Sequence, residues 1–263
     1  MRADPCMMTN EGAYSAAFYS RNRTVAGRSA DAVVPAVIEI VQPRSVVDVG
    51  CGAGAWAAAF IHYGVSEVLG VDGDWVDRAA LAVPVDRFLA CDLTSPFADR
   101  IGRRFDLAVC LEVAEHLPPD HGERLVMSLT QLADTILFSA AVPGSGGTNH
   151  VNERWPTWWA RVFAAAGFQM IDALRLRFWE DERVAPWYRQ NMFLYTTRMD
   201  LVARNPAAML PIDLVHPAMW DRLRRKHDRR ARPLTIGEIA REIPRAIRRS
   251  VTRRGSALFR TKA

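Results

Sequence analysis

The sequence predicts an α/β fold built on a doubly wound, seven-stranded, mainly parallel sheet. Apolar, β-branched runs alternate with stretches of helical periodicity, as in a parallel sheet covered on both faces. A glycine-rich turn joins the first of these runs to a helix across residues 46–57. The 263 residues, 49% hydrophobic and 24% charged, suit one sizeable α/β domain with appendages and are too few for two enzyme domains.

Taken in order, the strands are expected at Ser45–Val49, Glu67–Val71, Arg87–Ala90, Phe105–Leu111, Thr135–Ala140, Phe168–Leu176 and Met192–Thr197. Each is a short apolar run bounded by polar or turn residues. Helical spacing is expected over Ala30–Val41, Ala55–Tyr63, Gly122–Ala133 and Pro156–Ala166. Residues 1–29, with Tyr14, Phe18 and Tyr19, are read as an N-terminal cap segment, 30–220 as the main domain, and 221–263 as a basic tail. Phe178–Asn191 forms a long aromatic-rich connection, and connections of that length usually carry function.

The run Val46-Val47-Asp48-Val49-Gly50-Cys51-Gly52-Ala53-Gly54-Ala55-Trp56 is a buried strand, a glycine turn and a helix start. Such a turn lets the backbone approach a ligand, and the helix N-terminus offers unpaired N–H groups to it. Gly50, Gly52 and Ala55 also satisfy a dinucleotide pattern, and Asp72, closing the second strand, could grip ribose hydroxyls in either case. Asp48, two residues before Gly50, suits a cationic ligand and sits badly beside pyrophosphate. Gly54 adds a third glycine, and Cys91-Asp92-Leu93 and Phe105-Asp106-Leu107-Ala108-Val109-Cys110-Leu111-Glu112 follow in turn.

That ordered set resembles the class I S-adenosylmethionine (SAM)-dependent methyltransferases, over roughly residues 30–197. The resemblance implies a Rossmann-like sheet whose last strand is antiparallel, SAM as cofactor and S-adenosylhomocysteine as product. It implies that Gly50, Gly52 and Gly54 pass under the methionine portion and that Asp72 holds the ribose. Asp92 would bond the adenine amino group, Leu93 would lie against the ring, and Leu111 would pack nearby. The plainer readings are a ligand-free turn for the glycines and a helix N-cap for Asp92.

SAM carries its own reactive sulfonium, so the protein must align the acceptor and, for a hydroxyl, remove a proton. Candidate groups lie beyond the carboxyl ends of strands four and five. Glu112, Glu115 and His116 place two carboxylates and an imidazole within five residues, enough for three ligands of one divalent cation such as Mg²⁺. This E-x-x-E-H resembles the metal-binding stretch of ubiquinone-biosynthesis O-methyltransferases and small-RNA 2′-O-methyltransferases. Alternatively, Glu115 and His116 simply structure a turn.

After strand five, Pro143-Gly144-Ser145-Gly146-Gly147-Thr148-Asn149-His150 offers a mobile glycine approach and one base of near-neutral intrinsic pKa, His150. His150 is the preferred general base, or a fourth metal ligand. The stretch from His150 through Trp159, with Asp213-Leu214-Val215-His216-Pro217, resembles bacterial methyltransferases linked with polysaccharide and glycoside modification. Trp155, Trp158, Trp179, Trp187 and Tyr188 could stack on sugars, with Asn152, Glu153 and Arg183 for hydroxyls. Trp159 and Phe163, four apart, read as core.

Residues 221–263 hold 15 Arg and Lys against 4 Asp and Glu, whereas the rest is mildly acidic. After a capping box at Thr235–Glu238, Ile236, Ile239, Ile243, Ile247 and Val251 recur at helical spacing among arginines. Such a helix could lie on an anionic membrane surface or dock on protein, and nucleic acid ranks last because aromatic interleaving is lacking. No run approaches the roughly 20 apolar residues of a span, and the opening residues lack a signal-peptide core. Cytoplasmic placement is expected, with peripheral contact at the inner membrane surface through the tail. The function expected is O-methylation of a sugar, glycoside or related small acceptor. Its rivals are N-methylation of a small amine, a non-catalytic SAM-binding regulatory module and, last, a dinucleotide oxidoreductase.

Overall fold

The computed structural model describes residues 16–205 and 211–231. Seven strands form one sheet: β1 (Ser45–Val49), β2 (Glu67–Asp72), β3 (Phe88–Ala90), β4 (Leu107–Leu111), β5 (Thr135–Ser139), β6 (Gln169–Ile171) and β7 (Phe193–Thr196). Their order is β3-β2-β1-β4-β5-β7-β6. The first five run parallel, and β7 is antiparallel to both β5 and β6. This is the doubly wound sheet expected, with its last strand reversed.

Strands buried on both faces must be apolar throughout, and alternate residues then serve opposite cores. Val46, Leu107, Val109 and Leu137 join one core, covered by α1 (Ala16–Val41), α2 (Ala55–His62) and α7 (Pro186–Asn191). Val47, Val49, Ala108, Cys110, Ile136 and Phe138 join the other, covered by α3 (Ala98–Ile101), α4 (Gly122–Leu132) and α5 (Pro156–Ala165). Strand order reverses between β1 and β4, so the loops leaving their carboxyl ends diverge and open a crevice there.

The helix expected from Ala30 begins at Ala16, so the boundary placed at residue 29 falls inside α1. Pro35 within α1 has no N–H for the Asp31 carbonyl. The Tyr63 hydroxyl donates to that carbonyl at 3.1 Å instead, tying α1 to the end of α2.

The sixth strand is much shorter than the Phe168–Leu176 expected. It stops at Ile171, and α6 (Arg175–Phe178) follows. Arg175, fully buried, forms an ion pair with Asp172, donates to the Pro211 and Ile212 carbonyls, and lies 4.4 Å over the Phe193 ring. A buried guanidinium needs all its partners at once, and the turn at 172–175 is what brings them together.

Phe178–Asn191 is therefore not an open connection but the end of α6, a turn and α7. Trp179 packs on His216 with ring centroids 4.3 Å apart, and Trp187 packs against the first core. Tyr188 is buried, and Arg183 pairs with Asp181 at 2.6 Å. Trp159 and Phe163 are core residues, as expected.

Helix α8 (Met199–Arg204) follows β7 and α9 is assigned over Pro217–Ala231; the chain divides into two compact units, one ending at Trp220 and a second starting at Asp221. In the second unit Arg224, Arg225 and Lys226 are exposed. The capping box at Thr235 and the isoleucine series after it lie outside the described residues, as does Cys6. Cys51, Cys91 and Cys110 are free thiols. No helix among the described residues is long and apolar enough to cross a membrane.

Candidate active site

The glycine loop leaves β1 at the crevice. Gly50, Gly52 and Gly54 have φ of 76°, 54° and 82°, in the left-handed region that favours glycine. Gly50 is also pinned in space: a Cβ there would lie 2.3 Å from Cγ2 of Val113. Carboxylates shape the loop from below. Asp72 accepts from the Gly52 N–H at 2.7 Å and the Gly73 N–H at 2.6 Å, and Asp48 accepts from the Ala57 N–H at 3.1 Å in the first turn of α2. Both acids therefore stand at the turn, as the sequence placed them.

Asp92 is exposed and accepts from the Thr94 N–H and hydroxyl at 2.9 and 2.7 Å, closing a turn rather than capping a helix. Leu93 and Leu111 are buried on opposite faces of the sheet. Asp106, in the same motif, is far from the crevice in role. It accepts from the Arg44 and Ser45 N–H groups and joins the amino ends of β1 and β4.

Burial pushes the Asp48 carboxyl up from its ordinary 3.8 to about 7. The Ala57 N–H bond opposes the shift and the charge of Asp72 adds to it. The folded chain then holds a proton that the unfolded chain has lost, so stability falls as pH rises from about 4 to about 7 and stays reduced above. Asp48→Asn keeps an acceptor for Ala57 without the charge. The variant is expected to be more stable than the parent at pH 8, by about 1–4 kcal/mol on a scale of about 1.4 kcal/mol per pK unit. The gain should fade towards pH 4. Equal thermal unfolding midpoints at pH 8 would show that the ionised carboxylate costs nothing there.

β4 ends at Leu111 and is followed by Glu112, a non-glycine residue at φ 56°, and such strain is commonest where a site needs it. A short 3-10 turn, Ala114–His116, follows. The strand-five loop closes onto this turn: the N–H groups of Val151 and Asn152 both donate to the Glu115 carbonyl, at 2.8 and 3.1 Å. Asn152, buried, adds a bond to the Ala114 carbonyl at 3.3 Å and accepts from Arg154 at 3.0 Å, so it is not available to a ligand.

This docking brings Glu115, His116 and His150 together, with one ligand atom from each lying within 4.8 Å of the others. The His116 and His150 rings meet edge to face at 4.9 Å. Glu112, grouped with Glu115 and His116 from the sequence, does not close on the same point. Its carboxyl faces Ser139 and Asn191 as well as Glu115. Ser139 and Asn191, both buried, carry no motif in the sequence; they reach Glu112 because β5 lies beside β4 and α7 packs against β5.

The cluster is electrostatically unbalanced. Neither oxygen of the Glu115 carboxyl has a hydrogen-bond partner among the described residues, although the residue is 1% exposed, and the His116 Nδ1 is buried and also unpartnered. Burial pushes the Glu115 carboxyl well up, and Glu112 beside it pushes further. Burial raises Glu112 too. The His116 imidazole is lowered to about 4, by burial first and by His150 second. It therefore stays neutral, with a lone pair to offer. Around the loop, Val151 and Trp155 are exposed, and Arg154 lies 5.3 Å over the half-buried Trp158 ring.

Two solved structures share this architecture. An O-methyltransferase family protein from Burkholderia thailandensis is 16% identical with a TM-score of 0.53, over 72% of this chain and 62% of that one. The chain thus spans less than two thirds of that protein's length. The sugar N-methyltransferase KedS8 from Streptoalloteichus sp ATCC 53650 is 16% identical with a TM-score of 0.55, over 70% and 93%. At such identities the likeness concerns the fold. No curated protein matches the chain. The family model described as a methyltransferase domain matches residues 21–182, which contain the glycine loop, Asp72, Asp92 and the Glu115–His116–His150 cluster. The chain belongs to that methyltransferase domain family.

Proposed function

We propose that the enzyme methylates a hydroxyl of a small acceptor, a sugar or glycoside, and that Glu115, His116 and His150 hold a divalent cation at the acceptor. The observation that carries the reading is the convergence of these three side chains around a buried Glu115 carboxyl that has no hydrogen-bond partner among the described residues. In this reading Gly50, Gly52 and Gly54 receive the methionine end of SAM, with the buried Asp48 carboxyl beneath it, whose ionised form the cationic cofactor would favour. Asp72 takes the ribose, and Asp92, Leu93 and Leu111 border the adenosine.

The residues fit a cation. A buried carboxyl beside a second one, with the neutral His116 imidazole adjacent, lacks the positive charge that an ion would supply. Two imidazoles and one carboxylate suit a first-row ion such as Mn²⁺ better than Mg²⁺, which prefers oxygen ligands. When bound, the ion would lower the pKa of an acceptor hydroxyl and orient it. The chain's own part is to fix Glu115 through the Val151 and Asn152 N–H bonds to its carbonyl, and to aim His150 at the acceptor. Trp155 and Val151, exposed beside His150, offer an apolar edge for a sugar face.

A second reading keeps His150 as a general base with no metal. It is favoured by the Glu153 carboxylate, 2.9 Å from His150 Nδ1, which leaves Nε2 as the proton-accepting nitrogen. Chelation separates the two. Transfer of labelled methyl into glycoside acceptors should be lost in EDTA and restored by Mn²⁺ more fully than by Mg²⁺, and Glu115→Gln should not be restorable by either. Undiminished transfer in EDTA would leave the metal-free base or, if label enters amines, N-methylation.

A further inference from the structure

We infer that Glu153 is the positioning residue of the acceptor side: one carboxylate both closes the glycine loop and sets which His150 nitrogen works. This rests on reading His150 as the acceptor-side imidazole. The Glu153 Oε2 accepts from the Gly144 N–H at 2.8 Å, and its Oε1 accepts from the Gly146 N–H at 2.8 Å and faces His150 Nδ1 at 2.9 Å. Both side chains are largely shielded, at 15% exposure for His150 and 18% for Glu153.

A carboxylate can only accept, so the proton shared with His150 belongs to Nδ1 and the lone pair to Nε2. The ring is also packed close to Gly147, where a Cβ would be 2.1 Å from Nε2. Gly144 and Gly146 adopt left-handed φ of 87° and 59°, which points their N–H groups inward to the same carboxylate. Sequence spacing alone does not reveal this, since Glu153 reads there as one more polar residue for a sugar.

The test combines Glu153→Gln, His150→Ala and the double variant, each compared with the parent protein. Gln keeps one carbonyl acceptor for the loop but presents an amide donor in place of the second oxygen. In ¹⁵N-histidine NMR, with the His150 resonances assigned from His150→Ala, the parent should show His150 protonated on Nδ1. Glu153→Gln should shift the population towards Nε2–H, with S-adenosylhomocysteine affinity unchanged. Its kcat should fall roughly 10–100-fold, the usual loss when an orienting partner is removed. In the His150→Ala background the same change should cost nothing more.

An unchanged tautomer in Glu153→Gln, or losses that multiply in the double variant, would overturn the inference. If His150→Ala transfers methyl at the parent rate, the reading of His150 itself falls. The tautomer measurement still judges Glu153 in that case. Should Glu153→Gln lose cofactor affinity through wider disorder, Glu153→Asp gives the second arm. Its carboxylate should keep the Nδ1–H tautomer only if the bond to His150 is the determinant, and an Nε2–H tautomer there would also overturn the inference.

Discussion

His150→Ala is expected to lower kcat by about 10²–10⁴, the span usual for a group that receives or steers the acceptor's proton, while leaving S-adenosylhomocysteine binding as it was. The argument is positional. The His150 ring meets His116 edge to face and shares a 4.8 Å neighbourhood with Glu115. The glycine turn proposed to receive the cofactor is built separately, by Asp48, Asp72 and the start of α2. Truncating the imidazole therefore removes acceptor chemistry without touching that turn. Both readings of the site require this result, because Nε2 is either a ligand or the base. Single-turnover methyl transfer with calorimetric titration of S-adenosylhomocysteine measures it. A variant within about threefold of the parent rate, a difference of under 1 kcal/mol, would move the chemistry away from the strand-five loop.

Gly50→Ala is expected to act in the opposite sense, weakening the cofactor by roughly 10²-fold and leaving kcat at saturation much less changed. Two costs add. An L-residue held at φ 76° loses about 1–2 kcal/mol. The new Cβ would also stand 2.3 Å from Cγ2 and 2.9 Å from Cγ1 of Val113. Valine has little rotamer freedom to retreat, and Val113 follows Glu112, itself already strained. The loop must therefore shift, and each 1.4 kcal/mol is about tenfold in affinity. Val113→Ala should recover part of the loss in the double variant, the share due to the clash, while the share due to φ remains. Parent-like affinity in Gly50→Ala alone would show that the turn flexes freely.

The parts of the fold that were legible are those with a local cause. β1 and β2 are rich in β-branched apolar residues, the pattern of strands covered on both faces, with Asp48 interrupting the first and Glu67 and Asp72 bounding the second. β6 misled because Ala173-Leu174-Arg175-Leu176 alternates like a strand, yet the structure spends Arg175 on Asp172, Pro211 and Ile212 and leaves Leu176 exposed. That is a tertiary override: the partners of Arg175 lie some 36 residues further on. For Trp179 and Trp187 the sequence left packing and binding equally open, and the structure adds their packing partners, His216 for the first and the first core for the second.

By itself the sequence determined the sheet, the glycine turn and the acids beneath it, because those groups interact within one βα unit or between adjacent parallel strands. Tertiary structure alone decided which side chains cluster beyond β4 and β5. Glu115 and His116 follow β4 while His150 follows β5, and they meet because these strands are neighbours and Val151 and Asn152 bond to the Glu115 carbonyl. The same packing turned Glu112 towards Ser139 and Asn191 and engaged Glu153 with its own loop. Spacing along a chain shows which donors exist, but which of them share a point in space depends on how separate loops pack and where their hydrogen bonds close.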